Sequence, residues 1–141
     1  VAARVKNVTK LQLQRLVRAA RAASRRAHAP YSRFSVGAAV LADSGRIHAG
    51  CNVENASYGL CICAERAAIF AAVAAGDRRL RCVVVHTPTP APTLPCGACR
   101  QVIREFGAEV RIVAVCDGDE RVDTSIAALL PAAFGPENLN R

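Results

Sequence analysis

The chain has 141 residues, of which 52% are apolar; this excludes disorder as its overall state and fits one domain over residues 1–141. Its longest uninterrupted apolar run, Ala67 to Ala75, is half the roughly 18 residues that a membrane-spanning helix needs. The formal charge of +8 is concentrated at one end, since residues 1–42 hold nine Lys or Arg and no acid.

Residues 1–10 read as an N-terminal extension. Leu11, Leu13, Leu16, Val17, Ala20 and Ala23 then recur at helical spacing with Arg15, Arg18, Arg21 and Arg25 between them. This predicts an amphipathic helix ending before Pro30. A basic, acid-free head of this kind suits an arm for nucleic acid or anionic lipid, or a presequence. The solvated face of the first helix is the expected reading. Phe34 to Ala42 reads as a strand, Asp43-Ser44-Gly45 as a turn and Ile47 to Val53 as a second strand, so the pair forms a hairpin. Residues 54–62 read as a loop, Glu65 to Ala75 as a helix that Gly76 ends, and Arg81 to His86 as a strand. Four prolines within residues 87–95 make a stiff, extended connection. Cys96 to Phe106 follows as a helix, Val110 to Cys116 as a strand and Ser125 to Leu130 as a short helix before Pro131.

Strand–helix–strand units in this order imply an α/β fold with parallel pairing and helices on both faces of the sheet. The run Ala67 to Ala75 is apolar around its whole circumference, so part of that helix is expected to pack against another subunit.

The seven cysteines, at 51, 61, 63, 82, 96, 99 and 116, are odd in number and closely spaced, which makes a poor disulfide framework. No secretory-signal pattern is read at the start. A reducing, cytoplasmic setting and a metal site are expected. Cys96-Gly97-Ala98-Cys99 with Cys61, Cys63 and Glu65 upstream favours zinc. Cys63 and Cys96 each open a helix, and helices after parallel strands start at the same edge of the sheet. Helix N-termini stabilise thiolates, and Arg66 stands in the right turn to offset their charge. Four ligands, with Cys61, would close the metal shell and make it structural. Three leave a position for water, whose pKa falls toward ~7 on the metal. Glu65, two residues after Cys63, can then move that water's proton; otherwise it is an acid favoured at a helix start.

Cys63-Ala64-Glu65 with Pro95-Cys96-Gly97-Ala98-Cys99 resembles the signature of the zinc-dependent cytidine deaminases. Tyr31 to Ala38 is similar to that family's first strand, and Gly50-Cys51-Asn52-Val53-Glu54-Asn55-Ala56 to its ribose-binding segment. Leu129-Leu130-Pro131 with Phe134-Gly135-Pro136 is similar to its C-terminal end. The all-Cys site with Arg66 resembles the small homotetrameric branch. The resemblance implies a three-layer α/β/α sandwich with a five-stranded mixed sheet. It also implies hydrolytic deamination of cytidine and deoxycytidine to uridine and deoxyuridine, with release of ammonia, in pyrimidine salvage.

By the same resemblance Zn²⁺ is held by Cys63, Cys96 and Cys99, Cys61 is a buried neighbour and Glu65 is the proton shuttle. The backbone of Ala64 holds the base, Phe34 packs on its ring, and Asn52 and Glu54 bind the ribose. Tyr58 and Phe134 complete a neighbouring subunit's pocket, and Arg66 bonds the thiolates. The implied partners are a nucleoside and three further copies of the chain. No membrane partner is expected, and no nucleic acid, because Cys63 stands where polynucleotide deaminases have His and no aromatic stacking platform is present. The competing readings are a deaminase of single-stranded nucleic acid, a deaminase of an aminopyrimidine antibiotic and a structural four-Cys zinc module. His28, His48 and His86 are not expected at the metal, and Cys51, Cys82 and Cys116 read as core residues.

Overall fold

The structure, a computed structural model, describes residues 7–139. Residues 1–6 of the expected N-terminal extension lie outside the described residues. The last residue of that extension, Lys10, already belongs to the first helix, α1 (Lys10–Ser24), which Thr9 caps. Thr9 Oγ1 accepts from the Gln12 N–H at 3.1 Å and Gln12 Oε1 accepts from the Thr9 N–H at 2.9 Å, so two of the helix's free donors are satisfied reciprocally. The helix stops short of Pro30. Beyond it the His28 N–H donates to Asn52 O at 3.0 Å and His28 O accepts from the Glu54 N–H at 2.8 Å, which draws the chain away from helical geometry.

A hairpin follows, β1 (Gly37–Ala42) and β2 (Ile47–Cys51), with Gly45 at φ +89° in its turn. A single 3₁₀ turn, Tyr58–Leu60, leads to α2 (Ala64–Ala74). Then come β3 (Leu80–His86), α3 (Gly97–Glu105), β4 (Arg111–Val115), β5 (Arg121–Ser125) and α4 (Ile126–Leu129), with a final 3₁₀ turn at Pro136–Asn138.

The five strands form one mixed sheet in the order β2-β1-β3-β4-β5. Only β3 and β4 pair in parallel; the other neighbours are antiparallel. The first strand–helix–strand unit therefore does not produce adjacent strands: β2 and β3 run the same way but β1 lies between them. The C-terminal ends of β2, β3 and β4 still share one edge of the sheet, and α2 and α3 begin beyond it.

Strand β5 corrects the reading of the residues, in which 117–124 had no element. Its five residues include a single apolar one, Val122, so no alternation marks it. It is a polar edge strand, held across to β4 by Arg111, whose Nε donates to Asp123 Oδ1 at 2.9 Å.

Both faces of the sheet are covered. Leu16 and Ala20 of α1 pack on Ala39, Leu41, Cys82, Val84 and Val113. Ala68, Ile69 and Ala72 of α2, with Ile103 and Ile126, pack on the alternate residues Ala38, Val40, Val83, Val85 and Ile112. All six residues of β1 are buried, as a strand covered on both sides requires. Two glycines permit the close approach of the helices. A Cβ on Gly37 would lie 1.9 Å from Ala20 O of α1, and one on Gly50 would lie 2.4 Å from the Ala68 nitrogen of α2. Among the described residues no helix is long and apolar enough to cross a membrane.

Candidate active site

Three thiols converge where α2 and α3 begin. Cys63 is the residue immediately before α2 and Cys96 the residue immediately before α3; neither side chain caps its helix, so both sulfurs are free to face a ligand. Cys99 lies in the first turn of α3 and is buried. The three Sγ atoms lie within 4.8 Å of one another, and those of Cys63 and Cys96 are 3.8 Å apart. Tetrahedral zinc with Zn–S bonds of about 2.3 Å sets its sulfurs ~3.8 Å apart, so the thiols fit Zn²⁺ in spacing as well as in donor type.

Cys61 does not join them. Its Sγ accepts from the Asn55 N–H at 3.3 Å and donates to Asn55 O at 3.7 Å, tying down its own loop. It is partly exposed rather than buried as expected. Among the described residues the thiols close enough to share a metal are Cys63, Cys96 and Cys99, which supports the open three-Cys arrangement over the closed four-Cys one.

The electrostatics favour thiolate at this corner. The Cys63 thiol is pulled down to about 5, chiefly by the hydrogen bond from Cys99 and then by Arg66. Arg66 Nη2 donates to Cys63 Sγ at 3.4 Å. Cys99 is pushed in the opposite direction by the Cys63 sulfur and by burial, so the first proton leaves from Cys63. Glu65, the second residue of α2, is only 4% exposed, and burial raises its carboxyl above the usual carboxylate range.

A cavity of about 220 Å³ opens onto this corner. Phe34, Asn52, Glu54, Cys63, Ala64, Glu65 and Cys96 all line it, so the topology brings these expected site residues to one place. Cys99 and Arg66 lie behind its wall, in contact with Cys63. Tyr58 and Phe134 are not part of it. Tyr58 stacks edge-on against Tyr31 at the entrance, and Phe134 stands exposed beyond α3, where its carbonyl accepts from Gln101 Nε2 at 2.9 Å. Six further residues line the cavity unanticipated: Ser32, Val36, Val85, Thr87, Thr93 and Leu94. The signal for Thr93 and Leu94 was their position just before Pro95-Cys96. Val85 is near the end of β3 and Thr87 directly follows that strand, at the edge where the site lies.

The polar wall is built before any ligand arrives. Asn52 Oδ1 accepts from the Val36 N–H at 2.8 Å and its Nδ2 donates to Phe34 O at 2.8 Å, which fixes the segment that carries Phe34. One N–H and one lone pair of the amide remain. Glu54 accepts from the Tyr31 and Ser32 N–H groups at 3.0 and 3.1 Å and from Ser32 Oγ. These donors hold its carboxyl below the usual range, the Ser32 hydroxyl first.

Residues 10–116 match the family model described as the cytidine and deoxycytidylate deaminase zinc-binding region. The chain belongs to this deaminase family. Its relatives include a cytidine deaminase of Sporosarcina psychrophila, 43% identical over 132 residues that span 92% of this chain and 96% of the relative. A cytidine deaminase of Mycobacterium tuberculosis is 44% identical over 82% of this chain and 84% of its own. The crystal structure of cytidine deaminase from Burkholderia pseudomallei superposes with a TM-score of 0.82 at 48% identity, covering 86% of this chain and 98% of that one. The five-stranded mixed sheet with helices on both faces is therefore the deaminase fold, and Cys63, Cys96 and Cys99 lie within the stretch that matches the zinc-binding region.

Proposed function

We propose that this deaminase hydrolyses cytidine and deoxycytidine to uridine and deoxyuridine, releasing ammonia. The observation that carries this reading is a buried Glu65 beside a three-thiol corner, at the end of a cavity sized for one nucleoside. Zn²⁺ held by Cys63, Cys96 and Cys99 supplies the Lewis acidity that makes water a nucleophile near neutral pH.

Glu65 does the proton work. As carboxylate it takes the proton released when water adds at carbon 4 of the ring. It delivers that proton to ring nitrogen 3, which eases the addition; it then takes the proton of the hydroxyl now on carbon 4 and delivers it to the amino group, which departs as ammonia while carbon 4 becomes a carbonyl. Its raised pKa brings the acid and base forms closer in energy at neutral pH, as such a role demands.

The remaining groups hold the substrate. Phe34 packs against the base and the Ala64 backbone bonds its edge. Glu54, fixed by three donors, and the spare donor and acceptor of Asn52 engage the sugar hydroxyls. A free base lacking the sugar would leave these groups unpaired, which disfavours it. Arg66 neutralises the thiolate charge from behind.

The site reads as completed by assembly. Helix α2 leaves Phe70, Ala71 and Ala74 exposed on its outer side, while Tyr58 and Phe134 project from the surface. A homotetramer that buries these residues would carry Tyr58 and Phe134 to neighbouring pockets. Work on free nucleosides in pyrimidine salvage, with free thiols throughout, belongs in the cytoplasm.

The test is an absorbance assay with cytidine, deoxycytidine and cytosine as substrates, using zinc-loaded protein. Turnover of both nucleosides with little on the free base is expected. Zinc-loaded protein inert toward both nucleosides would overturn the proposal.

A further inference from the structure

The face of the sheet opposite the site carries a groove that the deaminase reaction does not use. It is about 670 Å³ in volume and runs between α1 and the start of β5. Lys10, Arg18, Arg21, Arg25 and Arg121 line it and all are exposed. At 100° per residue, the four cations of α1 fall within about 80° of the helix circumference, with Gln14 between them; at 1.5 Å per residue they span about 22 Å. Arg121 faces them because its cross-strand partner Val115 points toward α1.

None of the five makes an ion pair among the described residues, whereas Arg46, Arg81, Arg104 and Arg111 each pair with a carboxylate. Arg21 is further held in place, its Nη2 donating to Cys116 O at 3.3 Å. Five cations gathered in a groove repel one another, and a row of anionic groups would relieve that repulsion. Among the described residues no acid lines the groove: Asp117, Asp119 and Glu120 of the β4–β5 loop and Asp123 of β5 are close to Arg121 in sequence but are not part of its wall.

We propose that this groove docks the sugar–phosphate backbone of single-stranded nucleic acid, without regard to sequence and without feeding it to the active site. Length decides the ligand class: a 22 Å stripe suits a chain of phosphates better than one phosphate. Composition decides the mode. No aromatic residue lines the groove, so bases are not stacked and only the backbone is engaged. Concavity argues against a flat lipid surface. The expectation of no nucleic-acid partner rested on Cys63 in place of His and on the missing stacking platform, which bear on deaminating and reading bases and not on holding phosphates.

The experiment is fluorescence anisotropy of the full chain with labelled 20-nucleotide U-only and A-only RNA strands between 50 and 200 mM salt. Five phosphate contacts predict a log–log salt slope of about −3.5, hence about a 100-fold loss of affinity over that range, alike for both strands. The Arg18→Ala/Arg25→Ala/Arg121→Ala protein should bind at least tenfold more weakly at 50 mM, with the slope reduced to about −1.4, while turning over cytidine like the unsubstituted protein. Absence of binding at 50 mM, binding that the triple substitution leaves unchanged, or a tenfold preference between the strands would each overturn the proposal. So would tighter binding to phosphatidylglycerol vesicles than to RNA, which would assign the groove to a bilayer.

Discussion

At the scale of single residues, sulfur placement separates a catalytic from a structural metal site. Cys63, Cys96 and Cys99 converge, while the Cys61 sulfur is turned toward Asn55. Removing one of three ligands should release the metal, whereas removing a thiol that only braces a loop should not. Cys99→Ala is therefore expected to purify with little zinc and no turnover. Cys61→Ala should keep one zinc per chain and lose at most about 1 kcal/mol of stability, the worth of a weak hydrogen bond. Metal analysis with a urea melt reads both. The clustering of cysteines with Glu65 was legible in the sequence because spacing at a helix start is local; leaving out Cys61 came from the family resemblance, since spacing alone left three and four ligands both open. The wall formed by Val36, Val85 and Thr87 was not legible, because those residues meet the thiols only through the pairing of β1 with β3.

At the scale of elements, helix and sheet approach one another most closely at two glycines. The backbone of α1 passes where a Gly37 side chain would be, so Gly37→Ala must push helix and strand apart. A loss of about 1–3 kcal/mol or more is expected, read as a lower urea midpoint with an unchanged slope. A second tie joins β2 to the end of α2. His48 Nε2 lies 2.7 Å from Asp77 Oδ2, and Arg46 Nη2 lies 3.1 Å from Asp77 Oδ1. His48 first, and Arg46 with it, hold the Asp77 carboxyl at about 2. A depressed carboxyl stabilises the fold above its ordinary value, near 4, and that contribution disappears as pH falls from there through about 2. The melting temperature should thus drop more steeply between pH 4 and 2 than that of Asp77→Asn, which should melt lower at pH 7. Equal slopes would remove Asp77 from this role. Helix and buried-strand periodicity predicted α1, α2, β1, β3 and β4 well. Strand β5 escaped because Arg121, Asp123 and Thr124 carry no apolar alternation and Ser125 read as the start of the next helix; cross-strand bonding to β4, absent from any periodicity, makes them a strand.

At the scale of the whole molecule, the two faces of the sheet differ in character. The α1 side is basic and polar. The other side exposes Phe70, Tyr58, Leu60 and Phe134, several of them more than half accessible. This is the surface that the proposed assembly would bury, and Ala67 to Ala75 read in the sequence as packing in part against another subunit. Light scattering should give about 60 kDa, four copies of a 14.9 kDa chain. Phe70→Glu should shift the mass downward and lower turnover, although Phe70 lines no cavity described in the chain. A monomer with full activity would show that each pocket is complete alone.

The most direct test concerns the acid at the metal corner. Glu65→Gln keeps the shape of the side chain and removes its ability to carry a proton. The account predicts a folded protein with one zinc per chain whose kcat on cytidine is lower by about 10²–10⁴-fold, the range for losing a general acid–base group. Turnover within a few-fold of the unsubstituted protein, with zinc retained, would contradict it.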